Sequence, residues 1–408
     1  MKKVSPFQIY EFLPKTNCGE CGESTCVAFA VGLIALKRSI AACPYLTVEQ
    51  RREIEELVGP SVRLVTVGLG DKAVKLGGEY VMHRHERRFF NKTALAIDVS
   101  DALPKLSLDQ RLTKIKKLSF ERVGEKLGVD LLAVRYASGM PENYVETIEY
   151  IVGEMDLPLI LCSLDPDVTR LALPAVVDRK PLLYAATSEN WTPMVELARN
   201  SDVPLALYAQ SLGEMEELIQ RAKGEGMDNL VIDLGIPALI DTVNHLVAMR
   251  RSAVEERGKL FGYPLMAVPA MVWQEDIPDP RKMFKESMVA SVLMLRYASL
   301  LILHGVETWS ILPVMALRQG IFSDPSVPTS VKPGLHTVGE PTPKSPVLLT
   351  TNFALTFYTV LGDVEGSKID CYILAVDTGG LSVTTAVAGG RLTAEKVAEL
   401  VKETKVKE

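Results

Sequence analysis

The chain has 408 residues, 47% hydrophobic and 24% charged, with a net charge of -6. That length requires two or three domains, the composition is that of a globular protein, and the acidic balance argues against a nucleic-acid surface. No run approaches the roughly 18 apolar residues needed to span a bilayer, and the N-terminus "MKKVSPFQIYEF" lacks a signal-peptide core, so a cytoplasmic protein away from membranes is expected.

Four of the six cysteines open the chain in the pattern C-x2-C-x4-C-x16-C-P, at Cys18, Cys21, Cys26 and Cys43. In a large chain with no secretory signal, such a cluster points to metal binding, not to disulfides. Gly19 and Gly22 let the loop bend and bring backbone N–H groups toward the sulfurs. Residues 25–40 are predicted to form the helix that returns to Cys43, and Pro44 ends the element. Four thiolates also suit zinc, but structural zinc usually pairs two short knuckles. One short knuckle, one wider one and a distant ligand favour an iron–sulfur cluster of the 4Fe–4S type. Cys162 and Cys371 stand alone in apolar runs and read as core residues.

"LVTVGLGDKA" at Leu64 imitates a dinucleotide-binding turn, but no helix comes after it. With "VKLGGEYVMH" behind it, it predicts a hairpin linking the cysteine module to the central part of the chain. His83 and His85 form an H-x-H pair whose acidic neighbour is Glu86; a solvated or subunit-facing strand is the simpler reading. Eight apolar runs then recur, each followed by an amphipathic segment: near Ala94, Asp130, Leu157, Pro181, Val203, Asn229, Pro264 and Leu300. Near-continuous apolar strands covered by helices mean a parallel sheet buried on both faces, and eight units predict a closed (β/α)8 TIM barrel. Barrel chemistry sits past the strand C-termini, where Asp98, Arg135, Ser163, Asp165, Thr187, Glu189, Asn190, Gln210, Asp233 and His304 fall. They form either a ligand-binding ring or caps for the following helices.

Six prolines fall within residues 323–346, which predicts a semi-rigid linker. Beyond it, "VLLTTNFALTFYTV", "DCYILAVDTGG", "LSVTTAVAGG" and "TAEKVAELVKETK" read as strand, helix, strand, glycine loop and helix. The expected fold is therefore α/β throughout. A cluster module spans 1–60, a linker hairpin 61–92, a TIM barrel 93–322, a Pro-rich linker 323–345 and a small α/β domain 346–408.

The stretches "LPKTNCGECGESTCVAFA" with Cys43-Pro44, "GGEYVMHRHERRFFN", "TTNFALTFYTV" and "DTGGLSVTTAVAGG" together resemble the large (gamma) subunit of the corrinoid iron–sulfur protein. In methanogens that subunit belongs to the acetyl-CoA decarbonylase/synthase complex. The resemblance spans essentially the whole chain and implies a methyl carrier, a methyltransferase component of the complex. A cobamide on the C-terminal domain would take a methyl group from a methyl-tetrahydropterin and pass it to acetyl-CoA synthase, or the reverse. The cluster on Cys18, Cys21, Cys26 and Cys43 would reactivate Co(II) to Co(I). The partners implied are the small (delta) corrinoid protein subunit in a heterodimer, a methyltransferase, the acetyl-CoA synthase subunit and a low-potential electron donor such as ferredoxin.

The same resemblance places the corrinoid around Thr350, Thr351, Asn352, Phe353, Thr378, Gly379, Gly380, Ser382, Val383, Gly389 and Gly390, with Thr378 nearest the lower face of the cobalt. No D-x-H-x-x-G motif is present, which fits a cobamide bound base-off without a histidine ligand. Relatives often carry Glu where this chain has Gly379. The barrel becomes a docking body and the Pro-rich segment a hinge, with no catalytic residue assigned to the chain itself. Two rival readings are a pterin-dependent methyltransferase with catalysis in the barrel, and a redox adaptor that lacks cobamide.

Overall fold

A computed structural model describes residues 4–235, 238–255, 260–324 and 327–406. The chain opens with three short helices, α1 (Pro6–Tyr10), α2 (Cys26–Ile34) and α3 (Val48–Val58). They enclose a core of their own around Ile9, Leu13, Phe29, Leu33 and Ile54. Thr25 caps α2 by accepting from the Ala28 N–H at 3.0 Å, as an N-cap threonine should. The helix predicted over 25–40 stops at Ile34, because Leu36 turns left-handed (φ +55°) and breaks the ladder.

Next come β1 (Val62–Val67) and β2 (Val74–Glu79), an antiparallel hairpin. Expected as a linker, it instead closes the base of the barrel. Val65, Val67 and Leu76 are fully buried with the inward-facing barrel residues Ala96, Leu131, Ile160 and Leu300. The hairpin N–H groups of Arg63 and Gly68 bond to the carbonyls of Gly262 and Lys180, which precede barrel strands. Gly68 (φ +89°) is needed there, since a Cβ would stand 2.6 Å from the Pro158 ring.

The barrel begins with β3 (Ala94–Ser100) and α4 (Lys105–Lys116). A small hairpin, β4 (Ser119–Arg122) and β5 (Glu125–Gly128), then leads into β6 (Leu131–Arg135). The alternation continues through α5 (Pro141–Glu154), β7 (Leu159–Cys162), α6 (Pro166–Ala172), β8 (Leu182–Ala186), α7 (Trp191–Asn200), β9 (Leu205–Tyr208) and α8 (Leu212–Gly224). It ends with β10 (Leu230–Asp233), α9 (Leu239–Val254), β11 (Leu265–Ala267), α10 (Asp279–Leu295), β12 (Ala298–Leu303) and α11 (Thr308–Ile321). The eight parallel strands close in the order β3-β6-β7-β8-β9-β10-β11-β12. All eight sit where the apolar runs placed them.

The C-terminal domain contains β13 (Gly334–Val338), β14 (Val347–Thr351), α12 (Ala354–Ser367), β15 (Cys371–Val376), α13 (Val383–Ala388) and α14 (Ala394–Thr404). Its sheet runs β13-β15-β14, with β14 parallel to β15 and β13 antiparallel. The stretch expected as a linker over 323–345 therefore supplies a strand, pairing Gly334 through Val338 against Ala375 through Cys371. Residues 325 and 326 of that stretch lie outside the described residues. Helix α12 covers one face of the sheet, while α14 has no fully buried residue. The domain meets the barrel at its base: Gly124, at the β4–β5 turn, packs directly on the Tyr358 hydroxyl. Beside that contact lies a cleft of about 760 Å³, lined among others by Lys92, Arg122, Lys332, His336 and Phe357.

Candidate functional sites

The cysteine loop is shaped by left-handed residues. Asn17 (φ +50°), Gly19 (φ +79°) and Gly22 (φ +82°) coil it before α2. The Asn17 side-chain oxygen accepts from the Cys26 N–H at 2.9 Å, and Arg38 donates to Glu23 (2.7 Å) and to the Gly22 carbonyl (2.9 Å). Cys43 returns at the end of a single 3-10 turn, and its carbonyl accepts from Arg51 at 3.3 Å. All four thiols are free, with Cys26 and Cys43 buried and Cys18 exposed. They line one small cavity with Leu13 and Phe29. Among the described residues, no three His, Cys, Asp or Glu side chains converge closely enough to hold one ion. Four thiols on one small cavity are a donor set that fits an iron–sulfur cluster.

In the C-terminal domain, β14 and β15 end side by side, with Thr350 opposite Ala375 and Thr351 opposite Val376. Asn352, one residue past β14, organises the turn that leaves β15. Its side-chain oxygen accepts from the Thr378 N–H (3.0 Å), the Thr378 hydroxyl (3.1 Å) and the Gly380 N–H (3.1 Å). Its amide donates to Asp377 at 3.3 Å. The turn is thereby pinned to the strand end. Thr378 lies beneath it, buried, its single hydroxyl proton shared between Asn352 and the Leu381 carbonyl, each 3.1 Å away; Asp377 and Gly379 form its outer surface. At Gly379 (φ +69°) a Cβ would meet nothing within 4 Å, whereas at Gly380 it would stand 2.8 Å from Pro328.

The hydroxyls of Thr350 and Thr351 are buried and have no hydrogen-bond partner within the protein. Buried hydroxyls are normally satisfied; as successive residues of β14 the two point to opposite faces of the sheet, so only one of them can face a given bound group. Ser382 precedes α13, its hydroxyl 3.0 Å from that of Thr385, while Val383 and Val387 expose an apolar strip beside the turn. Phe353 is half-buried at the strand end. Thr350 to Phe353 and Thr378 to Val383 thus share one edge. Gly389 and Gly390 do not join them; they lie at the far end of α13, about 9 Å of helix away.

The barrel mouth divides between the two readings of its polar ring. Asp165 caps α6, accepting from the Asp167 and Val168 N–H groups. Ser163 braces that cap, accepting from the Asp165 N–H at 3.1 Å. Asn190 ties down its own loop, accepting from Thr187 and donating to the Leu164 and Ala185 carbonyls. Glu189 and Gln210 are exposed. Asp98 and His304 form a different kind of group: His304 Nδ1 lies 2.6 Å from Asp98, Arg111 donates to the same carboxylate at 2.8 Å, and Arg135 lies 3.5 Å away. Burial opposes the Asp98 charge, but the His304 hydrogen bond and the two guanidinium groups outweigh it and hold its pKa below the ordinary value. Glu286, pushed up by burial, accepts from the His304 and Gly305 N–H groups. Arg111, Glu286 and the Trp273 ring, 4.4 Å from His304, are not marked in the sequence. They lie on helices and turns with no motif of their own.

Asp233 is fully enclosed and accepts from the Tyr184 hydroxyl (2.9 Å) and the Gly235 N–H (2.9 Å). Burial pushes its pKa up to about 6. A carboxyl with a raised folded pKa favours the folded state when protonated. Its stabilisation is complete below the unfolded value near 4 and is lost as pH rises to about 6, a change of roughly 3 kcal/mol. Chemical unfolding of Asp233→Asn should therefore lose less stability between about pH 4.5 and 7 than the parent chain; equal losses would refute this assignment.

A family model described as "CO dehydrogenase/acetyl-CoA synthase delta subunit" matches residues 64–408, and one described as "Putative Fe-S cluster" matches residues 13–45. The acetyl-CoA decarbonylase/synthase complex subunit gamma of Methanothermobacter thermautotrophicus is 40% identical over 100% of this chain and 89% of its own length. The chain belongs to the family of these gamma subunits. The subunit gamma of Methanosarcina acetivorans is 41% identical over 97% of this chain and 87% of its own length. A Xanthomonas albilineans dihydropteroate synthase structure, in complex with 7,8-dihydropteroate, is 18% identical with a TM-score of 0.42, covering 56% of this chain and 94% of that one. In this gamma-family chain, the iron–sulfur match falls on the module that holds all four clustered cysteines. Among the described residues, no helix is long and apolar enough to cross a membrane.

Proposed function

We propose that this gamma-family chain is the corrinoid iron–sulfur methyl carrier of an acetyl-CoA decarbonylase/synthase. The observation that carries the reading is four free cysteines around one cavity, in a chain about 40% identical throughout to gamma subunits. Cys18, Cys21, Cys26 and Cys43 would hold a 4Fe–4S cluster, with Asn17 and Arg38 fixing the loop that presents them. The edge formed by Thr350–Phe353 and Thr378–Val383 would hold a cobamide. When bound, the cobamide supplies a reduced cobalt that carries a methyl group, and the cluster supplies the low-potential electron that restores it.

The chain's own residues prepare that edge. Asn352 fixes the turn, Gly379 leaves room for close approach, and one of the two unpartnered threonine hydroxyls of β14 can face a bound group. Residues 346–408 contain no histidine. His336, brought into the domain by β13, directs Nε2 at the Lys332 carbonyl 2.8 Å away. No histidine of this domain is thus offered as a lower cobalt ligand, which favours an easily reduced, base-off cobamide. As a complex subunit it would work with a delta subunit, a methyltransferase, the acetyl-CoA synthase subunit and a ferredoxin-like donor.

The test is the visible spectrum and metal content of this chain isolated anaerobically with its delta partner alone. Corrin bands over a broad iron–sulfur shoulder, with iron and cobalt near four to one for a single cubane, are expected. The shoulder without cobalt would leave only a redox adaptor, and zinc without iron would defeat the reading. The organised Asp98–His304–Arg111 group favours one second reading, a barrel with methyltransferase chemistry of its own. Methyl transfer from a methyl-tetrahydropterin without added methyltransferase would establish that alternative.

A further inference from the structure

Strand alternation sets the top layer of the barrel lumen. Ala96, Ala133 and Ile302 pack together inside the barrel, so the next inward positions on β3, β6 and β12 are Asp98, Arg135 and His304. The same count on β8, β9 and β10 leads from Leu182, Ala206 and Val231 to Tyr184, Tyr208 and Asp233. Six of the eight strands thus end on a polar or aromatic side chain aimed across the opening. Ser163, Asp165, Thr187 and Asn190 fall outside this layer, and they are the ones that cap helices and brace loops.

The layer has two unlike walls. On one, Arg111 spends its donors on Asp98 and on the His304 carbonyl. Arg135 does not: among the described residues it makes no hydrogen bond, its ion pair with Asp98 is loose at 3.5 Å, and its side chain is 51% exposed. A free guanidinium fork matches a carboxylate in two parallel hydrogen bonds. On the other wall, the Tyr184 and Tyr208 rings lie 6.4 Å apart and form an aromatic surface. Asp233 is enclosed with both oxygens occupied, by Tyr184 and Gly235, so it presents no open acceptor there. Register sets Arg135 opposite Cys162 and Cys162 opposite Tyr184. The stems of Arg135 and Tyr184 are therefore two strand spacings apart, about 10 Å. Met140, Leu164, Ile240 and Met271 stand exposed on the loops and helix starts around the same mouth. An apolar surround with a few placed polar groups is the usual make-up of a small-molecule site.

We propose that the barrel mouth is a second ligand site, for a small organic acid whose carboxylate lies in the Arg135 fork and whose apolar body rests against Tyr184 and Tyr208. The site is on a different domain from the corrinoid edge and stands whether or not the chain carries a cobamide. It requires no methyl chemistry in the barrel.

The test titrates the full chain with its cluster, under anaerobic conditions, with 3-phenylpropionate followed by ligand-observed NMR. One saturable site per chain is expected. Arg135→Gln should weaken it at least about tenfold, and Tyr208→Ala, which removes part of the apolar wall, about fivefold. Arg122→Gln, an exposed arginine at the barrel base, should leave the affinity unchanged. Because Arg135 is half exposed, its variant should keep the parental thermal midpoint, and Tyr208→Ala tests the site through a second residue. Absence of saturable binding overturns the proposal. Equal binding of 3-phenylpropanol, which lacks the charge, or of acetate, which lacks the apolar body, also overturns it. So does an affinity unchanged in both site variants, or one lowered as much by Arg122→Gln as by Arg135→Gln.

Discussion

Replacing Cys26 with alanine is expected to strip the iron–sulfur signature from the chain while leaving the proposed cobamide in place. The backbone supports a clean experiment. Alanine is the best helix former, the Cys26 N–H keeps its bond to Asn17, and Thr25 still caps the helix. What disappears is one buried thiolate of four. Loss of a supporting partner around a metal typically costs 10–100-fold in affinity or activity, so loss of a direct ligand should cost at least about 100-fold. Cluster-driven reactivation of oxidised cobalt should fall by that factor, whereas methyl transfer from cobalt already reduced by a chemical reductant should proceed. EPR of the reduced protein and stopped-flow cobalt reduction measure both. Reactivation at the parental rate would eliminate the cluster as donor.

Asn352→Ala is expected to release the cobamide proposed for the C-terminal domain. One side-chain oxygen receives three hydrogen bonds from the Thr378–Gly380 turn, two of them from backbone N–H groups. Each buried donor left unsatisfied costs about 1–3 kcal/mol, so the turn in its present conformation would become unfavourable by roughly 2–6 kcal/mol. Whole-domain stabilities are commonly about 5–15 kcal/mol, so remodelling of the turn is expected before unfolding of the domain. Cobamide retained per chain after gel filtration should drop at least tenfold, with only a modest fall in thermal midpoint. Full retention would remove this edge from the candidate site.

The barrel was legible because a parallel sheet covered on both faces writes itself as eight apolar runs, and those runs coincide with β3 and β6–β12. The clustered cysteines were legible because ligand spacing is local. The network of the barrel mouth was not, because its members are far apart in sequence: Asp98 and His304 are separated by 206 positions. The hairpin at the barrel base carried the same alternating pattern a linker hairpin would. Only the burial of Val65, Val67 and Leu76 with the barrel interior reveals its role. In the C-terminal domain, the strand–helix–strand–glycine order could be read directly, whereas the keystone Asn352 looked like one more polar residue in "TTN". Strand β13 was hidden because Pro333 and Pro341 flank it, and proline density outweighed five residues of modest strand character.

That hidden strand changes where the C-terminal unit can be severed. Its sheet is completed by residues inside the Pro-rich stretch, and the Thr329 carbonyl receives the first N–H of α12 at 2.9 Å. A fragment beginning at Pro346 would strip β15 of its antiparallel neighbour and leave a raw edge from Cys371 to Ala375 open to intermolecular pairing. An excised unit that starts ahead of Thr329 would carry its own edge protection with it.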